Sequence, residues 1–315
     1  MRIAIFGIGG VGGYFGGRLA HAGRDVVFIA RGHHLEVMLG NGLRVDSNLG
    51  NFDVKVNASD DPRGIGAVDI VIMAVKAWQV TEAAESIRPM LKKSTVVVPV
   101  QNGVEAADEI SKIIGKEHVL CGSCAIFSYK FGPGHIKADS IWEPSISFKE
   151  MDNSASDRVE KLRQALDCYG FAVKVPDDIH AVLWSKLMSV SPVGSVGAVT
   201  RVAGRHWRVL PDALEMYKEA VMEVANVARA RGIAVEDPQV QEIVSTAVSG
   251  SVEQLTSMQR DILEGKRSEL EAQVGVIHRL GVQLGVPTPV YTNIYRSLLP
   301  SEMRARGQIE YSSEF

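Results

Sequence analysis

The sequence predicts an α/β domain built on a parallel sheet, followed by an all-α domain. Two observations carry this. Through the first half, short β-branched runs alternate with helical stretches, and after Pro176 the apolar periodicity becomes almost wholly helical. A third agrees with them: 315 residues exceed the usual length of one domain. The expected division is 1–176 and 177–315.

Taken in order, the strand candidates are Arg2–Phe6, Asp25–Ala30, Asp69–Ala74, Thr95–Val100 and Val119–Phe127. Most read as continuous apolar runs, the pattern of a parallel sheet covered on both faces. Helical segments such as Tyr14–Ala22 and Val80–Leu91 separate them. Asp177-Asp178 can cap a helix from Ile179. Beyond it, Leu214, Tyr217, Val221, Val224, Ala225 and Ala228 recur at helical steps. There are no internal repeats, and Ser312–Phe315 should fray.

A net charge of −3, with 46% hydrophobic residues, describes an ordinary globular chain without the basic surface that nucleic acid or an anionic membrane demands. No apolar run approaches the roughly 20 residues of a membrane span. The apolar start Met1–Phe6 breaks into glycines without a cleavage site, so a cytoplasmic protein is expected. Cys121-Gly122-Ser123-Cys124 sits on a strand candidate with no second ligand pair at metal spacing, so no metal site is expected.

Directly after the first strand comes Gly7-Ile8-Gly9-Gly10-Val11-Gly12, and a helix follows. In this strand–loop–helix setting a GxGxxG run is a dinucleotide fingerprint, which makes the first domain Rossmann-type. The first glycine allows the tight turn, the second lets backbone approach a pyrophosphate, and the third lets helix and sheet close up. The helix N-terminus then presents unpaired N–H groups to the phosphates. The second strand ends in Arg31 rather than an acidic residue. A guanidinium suits a 2′-phosphate, and Lys76 can add a second cation, so NADP(H) is the expected cofactor. His33 and His34 read as solvated loop residues.

On these residues the chain resembles the ketopantoate reductases, which reduce 2-dehydropantoate to pantoate with NADPH. The resemblance runs through Lys76-Ala77-Trp78-Gln79, Gln101-Asn102-Gly103, Leu183-Trp184-Ser185-Lys186-Leu187 and Ser257-Met258 with Asp261-Ile262. It continues in Ser268-Glu269-Leu270 and Gly285-Val286-Pro287-Thr288-Pro289. It implies that Lys76 and Asn102 contact the cofactor, that Lys186 is the catalytic acid, and that Ser257 and Glu269 hold the substrate.

Elementary chemistry is compatible with those roles. Ketone reduction needs a hydride and a proton, and an ammonium in a desolvated cleft can supply the proton. A lysine snorkelling at a helix edge is the competing reading for Lys186. Ser268 with Glu271 matches a capping box, which would place Glu269 in the first turn of a helix, where a purely structural glutamate is also favoured. Ser257 could equally satisfy itself within a helix.

The chain departs from the family where asparagines are expected four and eight residues after the lysine. Val190 and Gly194 stand there, and they share one helical face with Lys186. Ser189 and Ser191 point about 100° away at 3.6 residues per turn, and Pro192 can kink the helix. Three readings stay open: a 2-dehydropantoate reductase, a related reductase of another 2-oxo acid or ketone that is bulkier or less polar, and a non-catalytic NADP(H)-binding regulator. The helical half also offers apolar faces on which a homodimer could form.

Overall fold

A computed structural model of the chain describes residues 1–250 and 255–310; the terminal Ser312–Phe315 lie outside them. The chain divides into two compact units. One comprises Met1–Gln101 and Glu105–Ile179, the other Asn102–Val104 and His180–Phe315.

The first unit carries β1 (Arg2–Phe6), α1 (Gly10–His21), β2 (Asp25–Ile29), α2 (Gly32–Asn41), β3 (Leu43–Ser47), β4 (Phe52–Val54), β5 (Asn57–Ser59) and α3 (Pro62–Ile65). There follow β6 (Ile70–Met73), α4 (Val80–Ser86), β7 (Val96–Pro99), α5 (Ala106–Ile114), β8 (Cys121–Ala125), β9 (Ser128–Gly132), β10 (His135–Ala138), β11 (Ser145–Lys149), α6 (Asp157–Leu166) and β12 (Ala172–Lys174). Among the described residues, β5-β2-β1-β6-β7 form a five-stranded sheet, parallel throughout. Ile3, Ala4 and Ile5 on its central strand are at most 1% exposed, so both faces are covered.

Three expectations need correction here. The run Val119–Phe127 does not extend the parallel sheet. Its strand part, β8, pairs antiparallel with β11 over Ser145–Lys149, and ahead of it Val119 makes an isolated parallel bridge with Val97 of β7. Cys121 and Cys124 are buried within it and form no disulfide, and burial pushes the Cys121 thiol up to about 12. Next, the helix expected over Val80–Leu91 stops at Ser86 and gives way to a 3₁₀ turn at Arg88–Met90, because Pro89 has no N–H to continue the α ladder. Finally, α1 starts at Gly10, four residues before Tyr14, since the glycine loop itself winds into its first turn.

His34 is not a solvated loop residue. It lies in α2, 8% exposed, and its Nδ1 accepts from the Gly134 N–H at 2.9 Å. His33 alone stays exposed, beside Glu36. Burial, aided by the Lys130 ammonium, holds the His34 imidazole below its usual 6.5. The folded state therefore resists protonation where the unfolded chain accepts it. That contribution is whole above pH 6.5 and is lost as pH falls from there towards the depressed folded value. Melting temperature should drop between pH 7.5 and 5.5, and a His34→Gln variant, whose amide oxygen can still accept, should drop less. Equal acid sensitivity in both would refute the assignment.

The second unit is helical: α7 (Ile179–Thr200), α8 (Gly204–Trp207), α9 (Pro211–Ala230), α10 (Asp237–Ser249), α11 (Ser257–Leu263), α12 (Val276–Leu284) and α13 (Pro289–Ala305). Its core includes Trp184, Met188, Trp207, Tyr217, Val224, Val274 and Tyr291. Against the sequence expectation, α7 is long and apolar enough to cross a membrane by length and composition. However, 61% of its most apolar window is buried within the fold, as in a core helix. The helix continues through Pro192.

Candidate active site

In the first unit the dinucleotide loop has the geometry its glycines require. Gly7 has φ +98°, a left-handed conformation that favours glycine. A methyl on Gly12 would come within 2.1 Å of the Gly7 carbonyl oxygen, and one on Gly10 within 2.5 Å of the Ser128 carbonyl oxygen. Gly9 differs, because a methyl there would meet nothing within 4 Å. Gly9 is the N-cap of α1, makes no side-chain cap, and no acidic residue lies in the first turn. The helix end is thus left to an incoming anion, with open space at the middle glycine, and these residues fit a pyrophosphate. Ile8 is buried, whereas Val11 packs at the edge of the core.

Arg31 lies two residues past the end of β2 and precedes α2 as its N-cap. Its guanidinium pairs with Glu82 at 3.3 Å, with both side chains more than 60% exposed. Lys76, beyond the end of β6, caps a 3₁₀ turn at Ala77–Gln79.

The second unit holds a pocket lined by Asn102, Gly103, Leu183, Lys186, Leu187, Val190 and Gln273. Leu183, Lys186, Leu187 and Val190 are spaced three and four apart, which sets them on one face of α7. Among the described residues the half-buried Lys186 ammonium makes no hydrogen bond or ion pair, and Ser189 Oγ donates to the Lys186 carbonyl instead. Asn102 reaches this unit through Gly103, whose φ of +99° turns the chain where a methyl would sit 2.9 Å from the Ala272 carbonyl.

Glu269 is 5% exposed. Its Oε2 accepts from Asn102 Nδ2 at 3.0 Å and from Gln273 Nε2 at 3.2 Å. The segment that follows is a π-helical turn, Glu271–Gly275, running into α12. Such turns widen the helix and leave carbonyls to find other donors. The Gln273 carbonyl takes Ser191 Oγ at 2.6 Å.

The capping box expected of Ser268 and Glu271 does not form. Buried Glu302 takes Ser268 Oγ at 2.6 Å, while Glu271 accepts from Tyr295 OH and pairs with Arg306. Ser268 Oγ still accepts from the Leu270 N–H at 3.2 Å. Glu302, however, takes the Ser268 N–H at 3.1 Å, the donor that Glu271 would have accepted, because a carboxylate inside the fold needs donors most.

Two residues expected on the substrate side do not line the pocket. Gly194 packs against Thr256 and Met258, where a methyl would lie 2.7 Å from Thr256 Oγ1. Ser257 opens α11 directly after its N-cap Thr256. Gln273 was missed, although a polar residue four after Glu269 on a helix shares its face.

Comparison with known proteins identifies the family and the fold. The family model "Ketopantoate reductase PanE/ApbA" matches residues 3–153, and its C-terminal counterpart matches residues 178–301. A 2-dehydropantoate 2-reductase of Mesorhizobium japonicum is 30% identical over 92% of this chain and 94% of its own length. The crystal structure of a PanE/ApbA family ketopantoate reductase from Ralstonia eutropha JMP134 superposes with a TM-score of 0.89 at 29% identity, covering 97% of this chain and all (100%) of the other. The fold is also that of a D-mandelate dehydrogenase solved with NADH and anilino(oxo)acetate, with a TM-score of 0.88 at 24% identity, covering 97% and 99% of the two chains. The chain belongs to the ketopantoate reductase PanE/ApbA family of oxidoreductases.

Proposed function

We propose that this protein reduces 2-dehydropantoate to (R)-pantoate with NADPH. The observation that carries the reading is the pocket of the helical unit, where the Lys186 ammonium shares a wall with Asn102 and Gln273, both bonded to Glu269. When bound, the nicotinamide supplies the hydride. This chain's residues supply the rest. Lys186 Nζ gives its proton to the oxygen that was the ketone, and Glu269 anchors the substrate. The amides of Asn102 and Gln273, one bond each, hold that carboxylate in orientation.

Gly9 and the first turn of α1 hold the pyrophosphate in this reading, with Arg31 and Lys76 taking the 2′-phosphate. The Arg31–Glu82 pair is no obstacle, because an ion pair this exposed contributes little and exchanges readily for a phosphate.

A second reading rests on Val190. Its side chain presents no hydrogen bond where the family has asparagine, which favours a larger or less polar 2-oxo acid. A steady-state panel of 2-oxo acids, with NADPH and NADH compared, tests both readings. The expected result is efficient turnover of 2-dehydropantoate, with NADPH preferred at least about tenfold, the effect of one good phosphate contact. Selective turnover of larger acids would move the assignment to the second reading. NADPH binding with no turnover of any acid would leave a non-catalytic regulator.

A further inference from the structure

Gln273 is 1% exposed and stands in the pocket wall. Its two terminal atoms are not interchangeable. Nε2 faces Glu269 Oε2, and a carboxylate oxygen only accepts, so turning the amide over would set two acceptors against each other. Oε1 is thereby fixed as the other arm, and it has no hydrogen-bond partner among the described residues. Folded proteins leave few buried acceptors without a donor. Other buried polar atoms lack partners too, on residues such as Arg18, Ser195 and Trp207, but none of them belongs to a residue lining this pocket.

The remaining lining narrows what could satisfy that oxygen. Leu183, Leu187 and Val190 offer no donor. Asn102 directs its amide nitrogen to Glu269, and Lys186 is assigned to the ketone oxygen. The backbone behind Gln273 is fixed by Ser191 and by the bond from its own N–H to the Glu269 carbonyl at 3.1 Å, so the side chain is held in place. A substrate entering this pocket can bring the donor that the oxygen lacks.

We infer that Gln273 determines specificity: its Oε1 accepts a hydrogen bond from a hydroxyl on the substrate, and the pocket selects 2-oxo acids that carry one. This rests on the 2-oxo acid reading above and deepens it. The acceptor on the π-helical turn offsets the apolar wall that Val190 makes on α7.

The test compares kcat/KM for 2-dehydropantoate with that for 3,3-dimethyl-2-oxobutanoate, the same acid without its hydroxyl. The wild type should prefer the hydroxylated acid by about 100-fold or more, the scale of a site built around a hydroxyl. Gln273→Met and Gln273→Leu, which keep volume and remove the acceptor, should each shrink that preference at least tenfold. NADPH binding, followed by fluorescence, reports that each variant is folded. No preference in the wild type would overturn the inference without reference to any variant. Equal losses on both acids in the variants would also overturn it, since Gln273 would then only brace Glu269. If the wild type reduces no 2-oxo acid at all, the parent reading falls as well, whereas turnover with an unchanged ratio sinks the Gln273 assignment alone.

Discussion

Replacing Lys186 with alanine is expected to lower kcat by about 10²- to 10⁴-fold, the range that positioned proton transfer contributes, while NADPH affinity stays within a few-fold. The argument starts from placement. Lys186 lies on the pocket face of α7 between Leu183 and Leu187, and among the described residues no carboxylate holds its ammonium. A snorkelling lysine needs only to reach water. One that lines a pocket beside two amides, with its charge uncommitted, is available to a ligand.

Alanine alone does not distinguish a proton donor from a simple positive charge. Lys186→Arg does, because a guanidinium keeps the charge and stays protonated at any accessible pH. If Lys186 donates the proton, arginine should be nearly as impaired as alanine, and the pH dependence of residual turnover should flatten in both. Recovery of most activity by arginine would reduce Lys186 to an electrostatic anchor. An unchanged kcat in Lys186→Ala would remove it from the chemistry altogether.

The parts of this molecule legible in the sequence are those fixed by local rules. β1 is a continuous apolar run and its boundaries match the expected strand, and the glycine loop follows from spacing alone. The four-stranded sheet β4-β3-β10-β9 was not foreseen. Its strands are short or polar, such as Ser128–Gly132, and β3 pairs with β10 across a long stretch of chain, so nothing local announces them. Ser268 shows the same limit at the site. Its capping pattern is real in sequence, but Glu302, 34 residues away, accepts the Ser268 N–H in place of Glu271. Lys186, Asn102 and Glu269 were reached through a family resemblance, and the structure groups Asn102 with Glu269 by a direct bond. Gln273 lies outside the motifs on which the resemblance was read, and its unpartnered oxygen exists only once the chain has folded.

Two glycine substitutions in the dinucleotide loop should have opposite signatures. Gly12→Ala places a methyl 2.1 Å from the Gly7 carbonyl oxygen and 3.1 Å from both the Ala74 methyl and the Ile5 side chain. Gly7 is held by its own left-handed φ and by an N–H bond to the Ile29 carbonyl, so the loop cannot yield cheaply. Overpacking of this kind costs about 1–3 kcal/mol. Melting temperature should therefore fall by several degrees, with NADPH affinity falling alongside it. Gly9→Ala should do the reverse. Gly9 has φ −91° and ψ −158°, extended backbone that alanine adopts freely, and the new methyl meets no protein atom within 4 Å. The folded protein should melt as the wild type does. NADPH should nevertheless bind at least tenfold more weakly, because the methyl occupies the space through which backbone approaches a pyrophosphate. Calorimetric binding beside thermal denaturation separates the two effects. A Gly9→Ala protein that binds NADPH as tightly as the wild type would show that the cofactor's phosphates lie elsewhere than over the N-terminus of α1.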